Sequence, residues 1–150
     1  MTKEIQNLIE DLLSDSPYRR TTAETTLLRM CKPLMDTYLD TCKEFGYVDY
    51  ERCSTAVFAN LRKPYGIRYK SGLSKKPFLS IISEAENPDH EEAYFYMPIQ
   101  WLDIMNPEEA IRDIAKNKIR SELLQQRSTL FSNLKDVEER LKKLDETFKD

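Results

Sequence analysis

Five apolar residues near the amino terminus, Ile5, Leu8, Ile9, Leu12 and Leu13, recur at the spacing of one helical face. Thr2 stands where an N-cap belongs, and Asp15-Ser16-Pro17 closes the segment. A second helix is predicted from the capping box Thr21-Thr22-Ala23-Glu24, in which the end side chains satisfy each other's backbone donors. Its apolar stripe takes in Leu27, Cys31, Leu34, Met35, Tyr38, Cys42 and Phe45, and Gly46 stops it. Pro33 lies inside this stripe without the N–H that a helix interior uses, which predicts a kink or a split. Asp49 is placed to cap a third helix with Tyr50, Cys53, Val57 and Leu61 inward.

The period then changes from helical to alternating. Tyr65, Ile67 and Tyr69 interleave with Gly66, Arg68 and Lys70, which is strand spacing, and Ser71-Gly72 is a turn signal. Residues 78–83 (FLSIIS) and 93–97 (AYFYM) are rich in β-formers, with a turn predicted at Asn87-Pro88-Asp89-His90 between them. Two or three antiparallel strands follow from this. Ala93, Phe95, Met97 and Ile99 share one face, Tyr94 and Tyr96 the other, and Pro98 ends the ladder or lies at its edge. Trp101 is expected to plug the junction between sheet and final helix.

Asn106-Pro107-Glu108-Glu109 is the strongest start signal in the chain, joining a capping Asn, a Pro at the first helical position and two acids at the dipole's positive end. With no later Gly or Pro, the helix is predicted to run to about 148, a rod of about 60 Å at ~1.5 Å per residue. Ile111, Ala115, Ile119 and Leu123 step by four, the drift of a helix lying on its own domain. Leu130, Leu134, Val137, Leu141, Leu144 and Phe148 then step 4-3-4-3-4, a coiled-coil seam that needs a partner helix. A second copy of the chain supplies one, or the amphipathic segment 3–13 folds back as the other. Ser128, Thr129, Ser132 and Asn133 mark where a break would turn the rod into a hairpin. The fold class expected is α+β: a helical group and small antiparallel sheet over residues 1–106, then a long helix over 107–150 whose distal part, about 123–148 from Leu123 onward, is the oligomerisation segment.

Charge sharpens the picture in one place. The net charge is −3, yet residues 62–76 (RKPYGIRYKSGLSKK) carry Arg62, Lys63, Arg68, Lys70, Lys75 and Lys76 with no acid, while 77–110 carry only acids. That basic run is a candidate surface for a partner protein or, as the alternative, for nucleic acid with Tyr65 and Tyr69 stacking on bases. Alternation sends Arg68 and Lys70 to the opposite face from those tyrosines, and glutamates beyond residue 83 are expected to pair across the strands, so an acidic protein surface is the preferred partner. Cys31, Cys42 and Cys53 form no C-x-x-C pair and sit among apolar neighbours, as reduced structural thiols of a cytoplasmic protein do.

Three glycines exclude a P-loop and a dinucleotide fingerprint, and His90, the only histidine, supports neither a nucleophile nor a zinc site. The acidic residues of 84–92 lack the spacing of a calcium loop. No cofactor, metal or catalytic residue is expected, and no membrane-spanning run is present. The expectation is a non-enzymatic module that self-associates through its C-terminal helix and occupies a partner's surface. A small regulatory or inhibitory protein of the accessory kind encoded by phages and mobile elements fits that description.

Overall fold

The computed structural model describes residues 2–53, 64–70, 77–83 and 93–148. Helix α1 (Lys3–Leu12) begins as predicted, with the Thr2 hydroxyl accepting from the Ile5 amide at 3.3 Å. Helix α2 (Pro17–Glu44) begins a turn ahead of the expected capping box. Ser16 is its N-cap, accepting from the Arg19 amide at 3.4 Å, and Pro17 follows at the first helical position. Proline is preset for helix there and its missing N–H would have had no partner, so Ser16-Pro17 nucleates first. Thr21 becomes an interior residue whose carbonyl accepts from the Thr25 hydroxyl at 3.0 Å.

Pro33 does not divide α2. A mid-helix proline costs about 3 kcal/mol. Leu27, Cys31, Leu34, Met35 and Tyr38, all on this helix, are buried, and each large side chain contributes roughly 1.5–3 kcal/mol. Packing outweighs the local defect. The helix ends in a Schellman motif: Gly46 takes φ +62°, its amide donates to Lys43 O at 3.1 Å, and the Tyr47 amide donates to Cys42 O at 2.9 Å.

Beyond Gly46 the predicted third helix meets a correction at its start. The Asp49 carboxylate accepts from the Glu51 and Arg52 amides at 3.2 and 3.3 Å and so caps a turn over 50–52. Tyr50, expected inside, is 69% exposed. Cys53 leaves the turn extended and bridges to Phe95. Val57 and Leu61 lie outside the described residues.

Three strands form an antiparallel meander in the order β1 (Gly66–Lys70), β2 (Phe78–Ser83), β3 (Ala93–Pro98). Ile67 pairs with Ile81 and Ile81 with Phe95, which puts Ile67, Leu79, Ile81, Ala93, Phe95 and Met97 on one face. That face meets Ile5, Leu27, Met35 and Tyr38 of the helices in one apolar core. β3 ends at Pro98 as predicted. A short 3-10 helix (Ile99–Asp103) then carries Trp101 into the core. The predicted turns at 71–72 and 87–90 lie outside the described residues.

Helix α3 (Pro107–Thr147) is continuous, so the Ser/Thr-rich stretch at 128–133 does not break it. Thr129 returns its hydroxyl to Gln125 O at 3.1 Å, a local bond that a helical Thr makes without unwinding the chain. Asn106 precedes the helix at φ 52°, a left-handed conformation that Asn tolerates better than most residues. The chain divides into two compact units, 1–115 and 116–150, and the boundary falls within α3 rather than ahead of it. Ile111 and Ala115 belong to the core of the first unit. The architecture is α+β, with three helices and the sheet among the described residues. None of these helices is long and apolar enough to cross a membrane.

Candidate functional site

Among the described residues, the distal part of α3 carries the largest run of exposed apolar side chains. The stepping-by-four stripe is buried through Ile119 and ends there, since Leu123 is 56% exposed. Leu130, Leu134, Val137, Leu141, Leu144 and Phe148 are each about half exposed or more, Phe148 at 77%. Continuity of the helix keeps their 4-3 spacing in phase, so they form one stripe. In heptad terms Leu123, Leu130, Val137 and Leu144 occupy d, while Leu134, Leu141 and Phe148 occupy a together with Arg127. Leu124 and Phe131, at the flanking e positions and also exposed, widen the amino-terminal half of the stripe. Segment 3–13 turns its apolar face to α2, with Ile5 and Ile9 buried.

The basic run is described at two of its six cations. Arg68 and Lys70 are exposed on β1, while Arg62, Lys63, Lys75 and Lys76 lie outside the described residues. The register sets Arg68 opposite Ser80 and Lys70 opposite Phe78, while the glutamates expected to pair with them lie outside the described residues. Ser80 in turn pairs with Tyr96. The aromatics that share the cations' face are therefore Phe78, Tyr94 and Tyr96, with ring centroids 5.1 Å apart for Phe78–Tyr96 and 5.0 Å for Tyr94–Tyr96. Burial raises the Tyr96 phenol's pKa, and the neighbouring Tyr94 adds to it. Tyr69 packs against the core on the other side.

A groove of about 480 Å³ runs between β1 and the α1–α2 junction. Ile67, Arg68, Tyr69 and Lys70 line one side; Leu12, Leu13, Pro17, Arg20, Thr21 and Glu24 line the other. Arg20 was not singled out by sequence, although Arg19-Arg20 in the first turn of α2 is a departure from the usual preference for acids there. Its guanidinium donates to Ser14 O at 3.0 Å, which holds it over the turn.

A polar cluster sits inside the first unit. Asp49 is 2% exposed and accepts from the Tyr38 hydroxyl at 2.5 Å. The Arg52 guanidinium lies 4.7 Å from the Trp101 ring centroid and 5.2 Å from that of Tyr38, and donates from Nη1 to Tyr96 O at 3.1 Å. Its Nε is 3.6 Å from Asp49 Oδ2, a charge contact too long for a hydrogen bond. The Tyr96 amide returns to Arg52 O at 2.9 Å, so residues 52–53 fasten to the outer edge of β3. This is a clasp joining α2, the 49–53 turn, β3 and Trp101. Trp101 is buried, with its ring centroid 5.4 Å from that of Tyr38 and 6.2 Å from that of Phe95.

All three thiols are buried and unpaired to one another. Burial pushes Cys31 and Cys53 up to about 12 and Cys42 to about 11, with the Asp49 charge adding at the latter two. Thiols held this far from ionisation are poor nucleophiles at neutral pH. Among the described residues no group of His, Cys, Asp and Glu is arranged to hold a metal ion. No protein-family model, curated protein or solved structure matches the chain.

Proposed function

We propose that the chain is a non-enzymatic, self-associating protein-binding module that acts by occupying a partner's surface, with residues 123–148 as its homotypic contact. The observation that carries this reading is the unbroken helix whose a and d side chains from Leu130 to Phe148 are all solvent-exposed. Burying the exposed half of one leucine contributes about 1 kcal/mol, so a seam of six such positions on each of two chains supports a micromolar or tighter dimer after association costs. A parallel, in-register pair suits the flanks. Arg140 at g then meets Asp145 at e of the second copy, whereas antiparallel pairing brings Glu138 and Asp145 against each other or against apolar Leu124 and Phe131. Arg127 at a disfavours higher oligomers by burying like charges together.

Three glycines and one histidine support the non-enzymatic part. A regulatory or inhibitory accessory role suits a chain whose described residues offer exposed surfaces for a partner. The buried, unpaired thiols fit a reducing, cytoplasmic setting. The test is light scattering after size exclusion on the full chain at ~50 μM, beside Leu134→Asp, Leu141→Asp and a truncation after Gln126. A dimeric parent with monomeric variants is expected, and a monomeric parent refutes the seam.

A second reading has one observation behind it: Arg68 and Lys70 share a sheet face with Phe78, Tyr94 and Tyr96, a combination that stacks and neutralises single-stranded nucleic acid. It ranks lower because Ser80 and Ile82, on the same face, are buried rather than open to a ligand. Anisotropy titrations with single-stranded DNA, duplex DNA and RNA at ~100 mM salt decide between the two.

A further inference from the structure

We propose that the edge of β1 facing away from β2 binds an extended, acidic segment of a partner protein, which adds to the sheet as a fourth strand in the groove against the α1–α2 junction. This names the partner chemistry of the protein-binding reading and rests on that reading, but not on self-association through α3. The two sheet edges differ. The outer edge of β3 is occupied by Arg52 and Cys53, whereas among the described residues β1 pairs only with β2. Successive side chains of a strand point to opposite faces, yet four consecutive residues, 67–70, line the groove. The groove must therefore run along the strand's edge, where backbone donors and acceptors point outward. Its far wall offers apolar Leu12, Leu13 and Pro17. A peptide laid there gains main-chain hydrogen bonds from β1 and a pocket for alternate apolar side chains, the two parts of recognition by strand addition.

Charge selects the occupant. Among the described residues that line this groove, Arg20, Arg68 and Lys70 stand with one acid, Glu24. Edge cations repel a second β1 carrying the same charges, and so guard against sheet-to-sheet self-pairing. They favour a strand with Asp or Glu at the facing positions.

The probe is a fluorescent ten-residue peptide alternating Val with Asp or Glu, titrated into the full chain at ~100 mM salt. Three control peptides accompany it: one with Lys for every acid, one with a central proline, and one with N-methylated backbone on alternate residues. Binding in the range of ~10–100 μM is expected, weakened about tenfold or more by each control change and by Arg68→Glu combined with Lys70→Glu, both exposed positions. Amide hydrogen exchange should show slowed exchange in 66–70. The proposal is overturned by no binding at ~500 μM, by binding indifferent to proline and N-methylation, or by protection elsewhere than β1. It is equally overturned if an oligonucleotide occupies the edge, or if raising protein concentration alone protects β1, which would assign it to a second copy. Repeating the titration with Leu134→Asp separates the readings: peptide binding that survives in a monomer upholds this site whatever becomes of the seam.

Discussion

Asp49→Ala tests whether the buried clasp holds the first unit together. The substitution removes the acceptor of the buried Tyr38 hydroxyl and of the Glu51 and Arg52 amides, and leaves the Arg52 guanidinium between Tyr38 and Trp101 without its carboxylate. Breaking a buried charge pair costs about 3–5 kcal/mol. The Arg52 side chain is 24% exposed, so water relieves part of that, and about 3 kcal/mol is expected. Tyr38→Phe is milder, because Asp49 keeps Arg52 and two amides; loss of one hydrogen bond to a charged group gives about 1.5–2 kcal/mol. The two side chains are 2.5 Å apart at their polar atoms, so the double variant should cost less than the sum by about 1 kcal/mol or more. Urea denaturation, followed by circular dichroism and by the fluorescence of Trp101 at one fixed protomer concentration, measures all three. An Asp49→Ala cost under ~1 kcal/mol, or an additive cycle, refutes the clasp as a stabilising unit.

The remaining expectations concern the thiols, a helix cap and the seam. Denatured protein should react with three equivalents of a thiol reagent and native protein only slowly, and a fast native thiol would contradict the burial of Cys31, Cys42 and Cys53. Each of these pKa values is raised from 9.0, so their contribution to stability is complete below about pH 9, where both states are protonated, and is lost as pH rises towards 12. The urea midpoint should fall across that window, and Tyr38, also raised chiefly by burial, adds to the fall. Gly46→Ala should cost about 1 kcal/mol, since φ is +62° and the space around the new Cβ is open, leaving conformational strain as the whole effect. Pyrene attached at Thr147→Cys should give excimer emission if the seam is parallel, and none if it is antiparallel.

Local chemistry made much of the architecture legible. The helical stripes of α1 and α3, the strand alternation from 66 to 70 and 93 to 98, the Gly46 stop and the Pro98 end all appear where spacing places them, because each depends on near neighbours along the chain. Where local signals competed, sequence chose the wrong one. Ser16-Pro17 outran Thr21-Glu24 as a helix start, and of the kink or split that Pro33 predicts, the split does not occur, because the residues around it are buried. Asp49 caps as its residue type predicts, but at 50–53 it opens a turn and a bridge to Phe95, and the rest of the predicted helix lies outside the described residues.

The candidate surfaces divide along the same line. The stripe from Leu123 to Phe148 is a property of one helix, so its spacing alone marks it, and the structure adds that these side chains are exposed. The basic run was visible as a charge pattern, and alternation placed Arg68 and Lys70 on one face. Alternation says which side a residue takes and nothing about what stands beside it. Register brings Ser80, Phe78 and Tyr96 next to those cations, and packing of α2 against the sheet brings Arg20 to the same groove. Residues 20 and 68 meet only because burying Leu27, Met35 and Tyr38 against Ile67, Ile81 and Phe95 fixes the helix on the sheet, a free-energy gain spread over distant segments that no local stretch of sequence contains.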